Sequence, residues 1–245
     1  MTLKFLLLQA RDPDDAAKIE ERHSFAEKMG LHVEQLIPYD ILSQAPTWQD
    51  VQSYDALLIG GSGDYYVSKR NLPHMTASMD FLQTVSSRGK PMFASCFGFQ
   101  PLVQALGGEV IYDPDNMEVG TYTLTLSQAG ETDELLGALP SQFKAQLGHK
   151  DRASTLPAEA IHLAGSARCP FQALRIKGQP IWATQFHPEL SGAENRARFD
   201  QYRAGYGSVM NEVEQQKTLD GFQDSPEATG LLRQFVELVF GNLGN

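Results

Sequence analysis

Gly89-Lys90-Pro91-Met92-Phe93-Ala94-Ser95-Cys96-Phe97-Gly98-Phe99-Gln100 changes character at its cysteine. The short apolar run before Cys96 suits a buried strand. Phe97 to Leu106 reads as a helix, ended by Gly107-Gly108. A cysteine at such a turn is held out over the end of a sheet, like the nucleophile of a strand-turn-helix elbow. It also sits at a helix N-terminus, where the positive end of the dipole favours a thiolate. Gly98 removes side-chain bulk beside the thiol, for a ligand or for close helix–strand packing. A free cysteine is also simply a small buried hydrophobe. The reading therefore depends on whether the chain supplies a base, an orienting carboxylate and an oxyanion hole.

Outward from this stretch, strands and helices alternate. Lys4 to Leu8 reads as a first strand, apolar on both faces as parallel sheets require. Asp12-Pro13 reads as the start of a helix with Ile19, Ala26 and Met29 on one face and Gly30 at its end. His32 to Ile37 is expected as the second strand and Ala56 to Ile59 as the third. Met75 to Arg88 has helical spacing. This alternation predicts an α/β fold: a flavodoxin-like, doubly wound, mostly parallel sheet flanked by helices. Beyond Glu109 the pattern changes. Val119 to Leu126 alternates like a half-buried antiparallel strand. Gln142 to Leu147, Ile161 to Ala164, Phe171 to Ile176 and Ile181 to Gln185 follow as short strands, so a small antiparallel extension is expected. Glu194 to Glu214 reads as helical with breaks at Gly205 and Gly207. A last helix opens at Ser225-Pro226, with Leu232, Phe235, Val236 and Val239 as its stripe. The expected organisation is a main domain over 1–190 and a helical extension over 191–245 packed on it.

Composition narrows the function classes. With 245 residues and a formal net charge of -10, the chain is too acidic to bind nucleic acid or an anionic membrane by bulk electrostatics. Two cysteines, Cys96 and Cys169, are too few for a secreted disulfide framework, and neither has a CxxC partner for structural zinc. No apolar run is long enough to span a bilayer. A cytoplasmic protein without metal or cofactor is expected, acting on a small molecule.

Two further constellations bear on Cys96. His187-Pro188-Glu189 follows the strand Ile181 to Phe186. Proline holds the preceding residue extended, and residues two apart in extended chain share a face. His187 and Glu189 therefore emerge together, as a base and its orienting acid must. The alternative is a surface loop with an incidental pair. Gly60-Gly61-Ser62-Gly63 follows the third strand and can turn N–H groups toward an anion, or be a plain turn. It lacks both the dinucleotide fingerprint and the P-loop ending. Combined, these features suit acyl transfer. Cys96 attacks, His187 shuttles the proton, Glu189 fixes the tautomer, and the N–H groups of Gly61 and Phe97 hold the oxyanion, a term worth roughly 3–4 kcal/mol per donor.

The chain resembles the class I, triad-type glutamine amidotransferases over roughly residues 54–190. Ala94-Ser95-Cys96-Phe97-Gly98-Phe99-Gln100 is similar to their Gly-x-Cys-x-Gly-x-Gln elbow, with Ala94 in place of the first glycine. Gln185-Phe186-His187-Pro188-Glu189 matches their His-Pro-Glu segment. Gly60-Gly61-Ser62-Gly63 resembles their oxyanion loop without its proline, and Gly148-His149-Lys150-Asp151 resembles their His-x-Asp segment. The resemblance implies substrate contacts at Gly60, Gln100, Glu118, Val119, Gly120 and His149. Gln100 reads equally as an ordinary helix residue, and His149 as structural. Cys169 reads as non-catalytic. The layout also resembles standalone relatives of the GMP-synthase amidotransferase domain. It implies hydrolysis of the γ-amide of glutamine or a γ-glutamyl compound through a cysteine thioester. No synthetase domain is expected after Val239, so the released ammonia would go either to a separate synthetase subunit or, in a γ-glutamyl peptidase, to no acceptor. A binding or regulatory module on the same fold is the third reading. The loop from Asp64 to His74 is expected at the rim of the site, where it would set substrate choice.

Overall fold

The computed structural model describes residues 2–241. Met1 and positions 242–245 of the expected extension lie outside the described residues. In chain order the elements are β1 (Phe5–Ala10), α1 (Ala17–Met29), β2 (Leu36–Asp40), α2 (Trp48–Val51), β3 (Ala56–Ser62), α3 (Met75–Ser87), β4 (Met92–Ser95) and α4 (Phe99–Ala105). Then come β5 (Glu109–Tyr112), β6 (Glu118–Leu126), α5 (Gln128–Glu131), β7 (Gln142–His149), β8 (Asp151–Thr155), β9 (Ala160–Gly165), β10 (Ala173–Ile176) and β11 (Ile181–Thr184). The chain closes with α6 (Gly192–Gln201), α7 (Glu212–Gly221), α8 (Pro226–Thr229) and α9 (Leu231–Phe240).

One sheet of nine strands, ordered β2-β1-β3-β4-β11-β10-β9-β6-β7, organises the molecule. The pairs from β2 to β11 are parallel, and those from β11 onward are antiparallel. Its parallel half has the doubly wound 2-1-3-4-5 order, which places a ligand crevice beyond the strands' carboxyl ends. β5 and β8 form a separate two-stranded antiparallel sheet that the sequence pattern did not disclose.

Alternation along the strands builds a core on each face of the sheet. Phe5 and Leu7 of β1 point into one core with Phe25 and Met29 of α1 and with Leu232 and Phe235 of α9. Leu6 and Leu8 point into the other, with Phe81 and Leu82 of α3 and Leu102 of α4. Burying a side chain of this size contributes about 1.5–3 kcal/mol. Phe235 meets Phe93 and Trp182 edge-on at 5.5 and 6.0 Å, so the last helix packs directly over β4 and β11. Among the described residues, no helix is long and apolar enough to cross a membrane.

Two local expectations are corrected. Ile19 is 69% exposed, because α1 begins only at Ala17 and turns Glu21 and Phe25 inward at that end, while Ala26 and Met29 are buried as expected. The second strand is Leu36–Asp40 rather than 32–37, since Val33–Gln35 coils into a 3₁₀ turn. Arg22 donates to the carbonyls of Val33 and Leu36 and holds that turn against α1. Pro38 is tolerated in this strand because β2 lies at the sheet edge.

Candidate active site

Four parallel strands deliver residues to one cavity: Arg11 just after β1, Ser62 from β3, Cys96 after β4 and His187 after β11. Ser95 is extended, whereas Cys96 adopts φ 48°, the left-handed region that costs a non-glycine residue about 1 kcal/mol or more. This reversal throws the thiol off the strand before Cys96–Gly98 coils into a 3₁₀ turn and α4 begins. Gly98 is required by the packing. A Cβ there would lie 2.7 Å from Ile59 Cβ and 2.8 Å from the Ile59 carbonyl oxygen.

His187, 6% exposed, donates through Nδ1 to Glu189 Oε1 at 2.6 Å, and it lines the same cavity as Cys96. Glu189 has no exposure at all, and Ser95 Oγ donates to its second oxygen at 2.7 Å. Burial alone would strip both groups of charge. For His187 it is outweighed by attraction to the Cys96 side chain and then to Glu189, which raises its pKa; for Glu189 it is outweighed by attraction and hydrogen bonding to His187, with the Ser95 bond added, which lowers its pKa. Pro188 stiffens the link between the two, and the Leu190 N–H returns to the His187 carbonyl at 3.4 Å.

Ser95 is the sequence's nearest neighbour to the cysteine, yet motif reading gave it no task. Ser95→Ala leaves a carboxylate oxygen buried without its donor, at a cost of about 1–3 kcal/mol. The loss raises the Glu189 pKa toward the ordinary carboxylate range. We expect Ser95→Ala to move the acid limb of the pH–rate profile to higher pH and to lower thermal stability. An unchanged acid limb would show that Ser95 does not support the pair.

The glycine loop is arranged differently from expectation. The Gly61 N–H does not face the cavity unclaimed: it donates to Glu21 Oε1 at 2.8 Å. That carboxylate also receives Arg11 Nη2 at 2.8 Å and, on its other oxygen, Gln9 Nε2 at 3.0 Å. A Cβ at Gly60 would sit 2.5 Å from the Glu21 carboxylate, so glycine is dictated here by a buried acid rather than by a ligand. Glu21 escaped the sequence reading. The signal was an acid on the inward face of α1, one turn before Phe25. Phe97 remains in the first helical turn, where backbone N–H groups have no intrahelical acceptor.

The other expected substrate contacts divide. Gln100, Val119 and His149 line the cavity with Cys96. Gln100 Nε2 donates to the Asp151 carbonyl at 3.2 Å and to Gln185 Oε1 at 3.4 Å, while Gln185 reaches the Cys96 carbonyl at 3.5 Å. Glu118 is turned away: its carboxylate lies 3.3 Å from His149 Nε2 and accepts from Gln172. Gly120, at φ 123°, lies on a separate groove between β6 and α7 rather than in the cavity. Glu118, His149 and Cys169 form a buried group of side chains of metal-binding type. Burial pushes the Cys169 thiol up to about 12. The rim loop is present: Tyr65 and Tyr66 line the cavity, and Ser68 donates through N and Oγ to Asp151 at 2.9 and 2.6 Å. The roof comes from beyond His-Pro-Glu, where α6 and the turn after it bring Asn195, Arg198, Tyr202 and Tyr206 over the thiol.

The family model "Glutamine amidotransferase class-I" matches residues 25–201. A "GMP synthase [glutamine-hydrolyzing]" of Porphyromonas gingivalis is 39% identical over 109 residues, which are 44% of this chain and 21% of that protein. One from Streptococcus pneumoniae is 28% identical over 58% of this chain and 25% of its own length. The chain thus spans about a quarter or less of the curated relatives it matches. Among solved structures, a glutamine amidotransferase from Thermotoga maritima superposes with a TM-score of 0.74 at 16% identity, over 98% of both chains.

Proposed function

The chain belongs to the class I glutamine amidotransferase family, and from that premise we propose that it hydrolyses the γ-amide of glutamine or of a γ-glutamyl compound through a thioester on Cys96. The Cys96–His187–Glu189–Ser95 relay carries this reading. Nδ1 of His187 is committed to Glu189, which leaves Nε2 for the thiol proton. Cys96 Sγ bonds to the γ-carbonyl carbon and its proton passes to His187. Collapse of the tetrahedral adduct breaks the C–N bond, and His187 returns the proton to the departing amine. A water molecule, deprotonated by His187, then adds to the thioester and releases glutamate with the thiol restored. The Phe97 N–H supplies one oxyanion donor. The Gly61 N–H is held by Glu21 Oε1 and is not assigned to the oxyanion.

The test is to incubate the purified chain with glutamine and with γ-glutamyl dipeptides and to measure glutamate together with ammonia or amine. Equimolar release of both products is expected. Glutamate formation at an undiminished rate by the Cys96→Ala protein would rule the proposal out. Turnover of the dipeptides without any partner marks a γ-glutamyl peptidase. A second reading has the ammonia delivered to a separate synthetase subunit. It is favoured by the GMP synthase relatives, which are glutamine-hydrolysing and far longer than this chain. It is favoured also by a Thermoplasma acidophilum neighbour described as one subunit of a putative GMP synthase (TM-score 0.59, 22% identity, covering 85% of this chain and 98% of its own). Weak glutaminase activity that rises when a synthetase is added would support it.

A further inference from the structure

The cavity wall carries three fixed cations, Arg11, Lys150 and Arg198, in a protein that is otherwise strongly acidic. Two are held by close partners within the chain. Arg11 engages Glu21 through Nη2 at 2.8 Å and Asp15 and Tyr202 through Nη1 at 3.3 and 2.9 Å, leaving only its Nε without an acceptor among the described residues. Lys150 Nζ donates to the Gly205 carbonyl at 2.8 Å and lies 4.3 Å from the centre of the Tyr206 ring. Asp151, the one acid lining the cavity among the described residues, is taken up by Ser68.

Arg198 is different. Its side chain is 9% exposed, and its Nε and Nη1 are buried without an acceptor among the described residues. The nearest carboxylate is that of Glu20, 3.8 Å from Nη2 and itself 58% exposed. A buried guanidinium with unused donors is costly to hold, and its planar fork matches a carboxylate. The placement follows from the local sequence. Ser191 caps α6 in a reciprocal capping box with Glu194, two residues after the catalytic carboxylate candidate. Asn195, Arg198 and Tyr202, spaced three and four apart, then share the face over the thiol.

We propose that Arg198 is the carboxylate-binding residue of this cavity and that it selects anionic γ-glutamyl substrates over analogues lacking the carboxylate. The inference rests on the hydrolytic reading above and names the substrate class of the same site. Two carboxylates have this chemistry: the α-carboxylate of the glutamyl half, and a carboxylate on the departing amine.

The experiment titrates Cys96→Ala protein, with Arg198 intact or replaced by Gln or Lys, by calorimetry. The ligands are L-glutamine, γ-L-glutamylglycine, γ-L-glutamylmethylamide, 4-aminobutyramide (glutamine without its α-carboxylate) and glutarate. Circular dichroism confirms that each variant is folded. The expected result is that Arg198→Gln weakens the glutamyl ligands and glutarate tenfold or more and leaves 4-aminobutyramide unchanged, and that Arg198→Lys restores part of the loss. A loss confined to γ-L-glutamylglycine assigns the fork to the departing carboxylate. With Cys96 present, Arg198→Gln should raise KM at least tenfold and change kcat less than threefold. Equal weakening of all five ligands, or of none, overturns the proposal. If the unmodified protein hydrolyses no γ-glutamyl compound, the functional reading fails by itself, while the Arg198 dependence of glutarate binding still decides the inference.

Discussion

Cys96→Ala is expected to lower γ-amide hydrolysis by about four orders of magnitude or more, the scale seen when a covalent nucleophile is removed. The fold should survive. The thiol is a small group 7% exposed at the cavity floor, and alanine fills the same turn. The strained φ of 48° belongs to the backbone and persists in the variant. Its persistence separates two explanations of lost activity. Cys96→Ser keeps the turn and the size but offers a weaker nucleophile, and it should be nearly as impaired. A steady-state assay on glutamine and γ-glutamyl substrates, with circular dichroism as the control for folding, reads both variants. Activity in Cys96→Ser within tenfold of the parent protein would mean that the thiol is not the attacking group.

The second large effect concerns Glu189. Glu189→Gln keeps the shape of the side chain but removes the charge that pairs with His187 and can present an N–H to a ring nitrogen that is itself a donor. Where an acid orients a base in this way, the amide costs about 10⁴-fold in kcat with geometry otherwise intact. We expect a fall of about 10³- to 10⁴-fold in kcat and little change in KM. Stability should respond in a defined pH window. The lowered Glu189 pKa stabilises the fold above the ordinary carboxylate value of 4.5, and this is lost as pH falls through the folded value. The raised His187 pKa stabilises below the ordinary imidazole value of 6.5, and this is lost as pH rises through its folded value. The gap in melting temperature between parent and Glu189→Gln should therefore be widest between pH 4.5 and 6.5 and narrow at alkaline pH. A gap independent of pH would contradict the ion pair.

What could be read from the sequence was local. The strand before Cys96, the helix after it and the extended His187-Pro188-Glu189 are each fixed by contiguous residues, and their placement at one end of a doubly wound sheet follows from topology. What escaped reading depends on the folded chain. Ser95 gained its task only when β4 and β11 paired and brought Glu189 beside it. Glu21 reaches Gly61 across forty positions, from a helix whose inward face was misjudged at Ile19. Periodicity failed there because a polar network, not an apolar stripe, decides which way that turn of α1 faces. Arg198 sat in a charged helix that composition marks as solvated, and only the roofing of the cavity by α6 gives it an interior position.

The central claim is a covalent γ-glutamyl enzyme on Cys96. Acid-quenching the protein during turnover of a γ-glutamyl substrate, followed by intact mass and peptide mapping, tests it most directly. The account predicts one γ-glutamyl increment, carried by the peptide containing Cys96 and absent from Cys96→Ala. Accumulation of the increment on Cys169 or another residue, or its retention in Cys96→Ala, would contradict it.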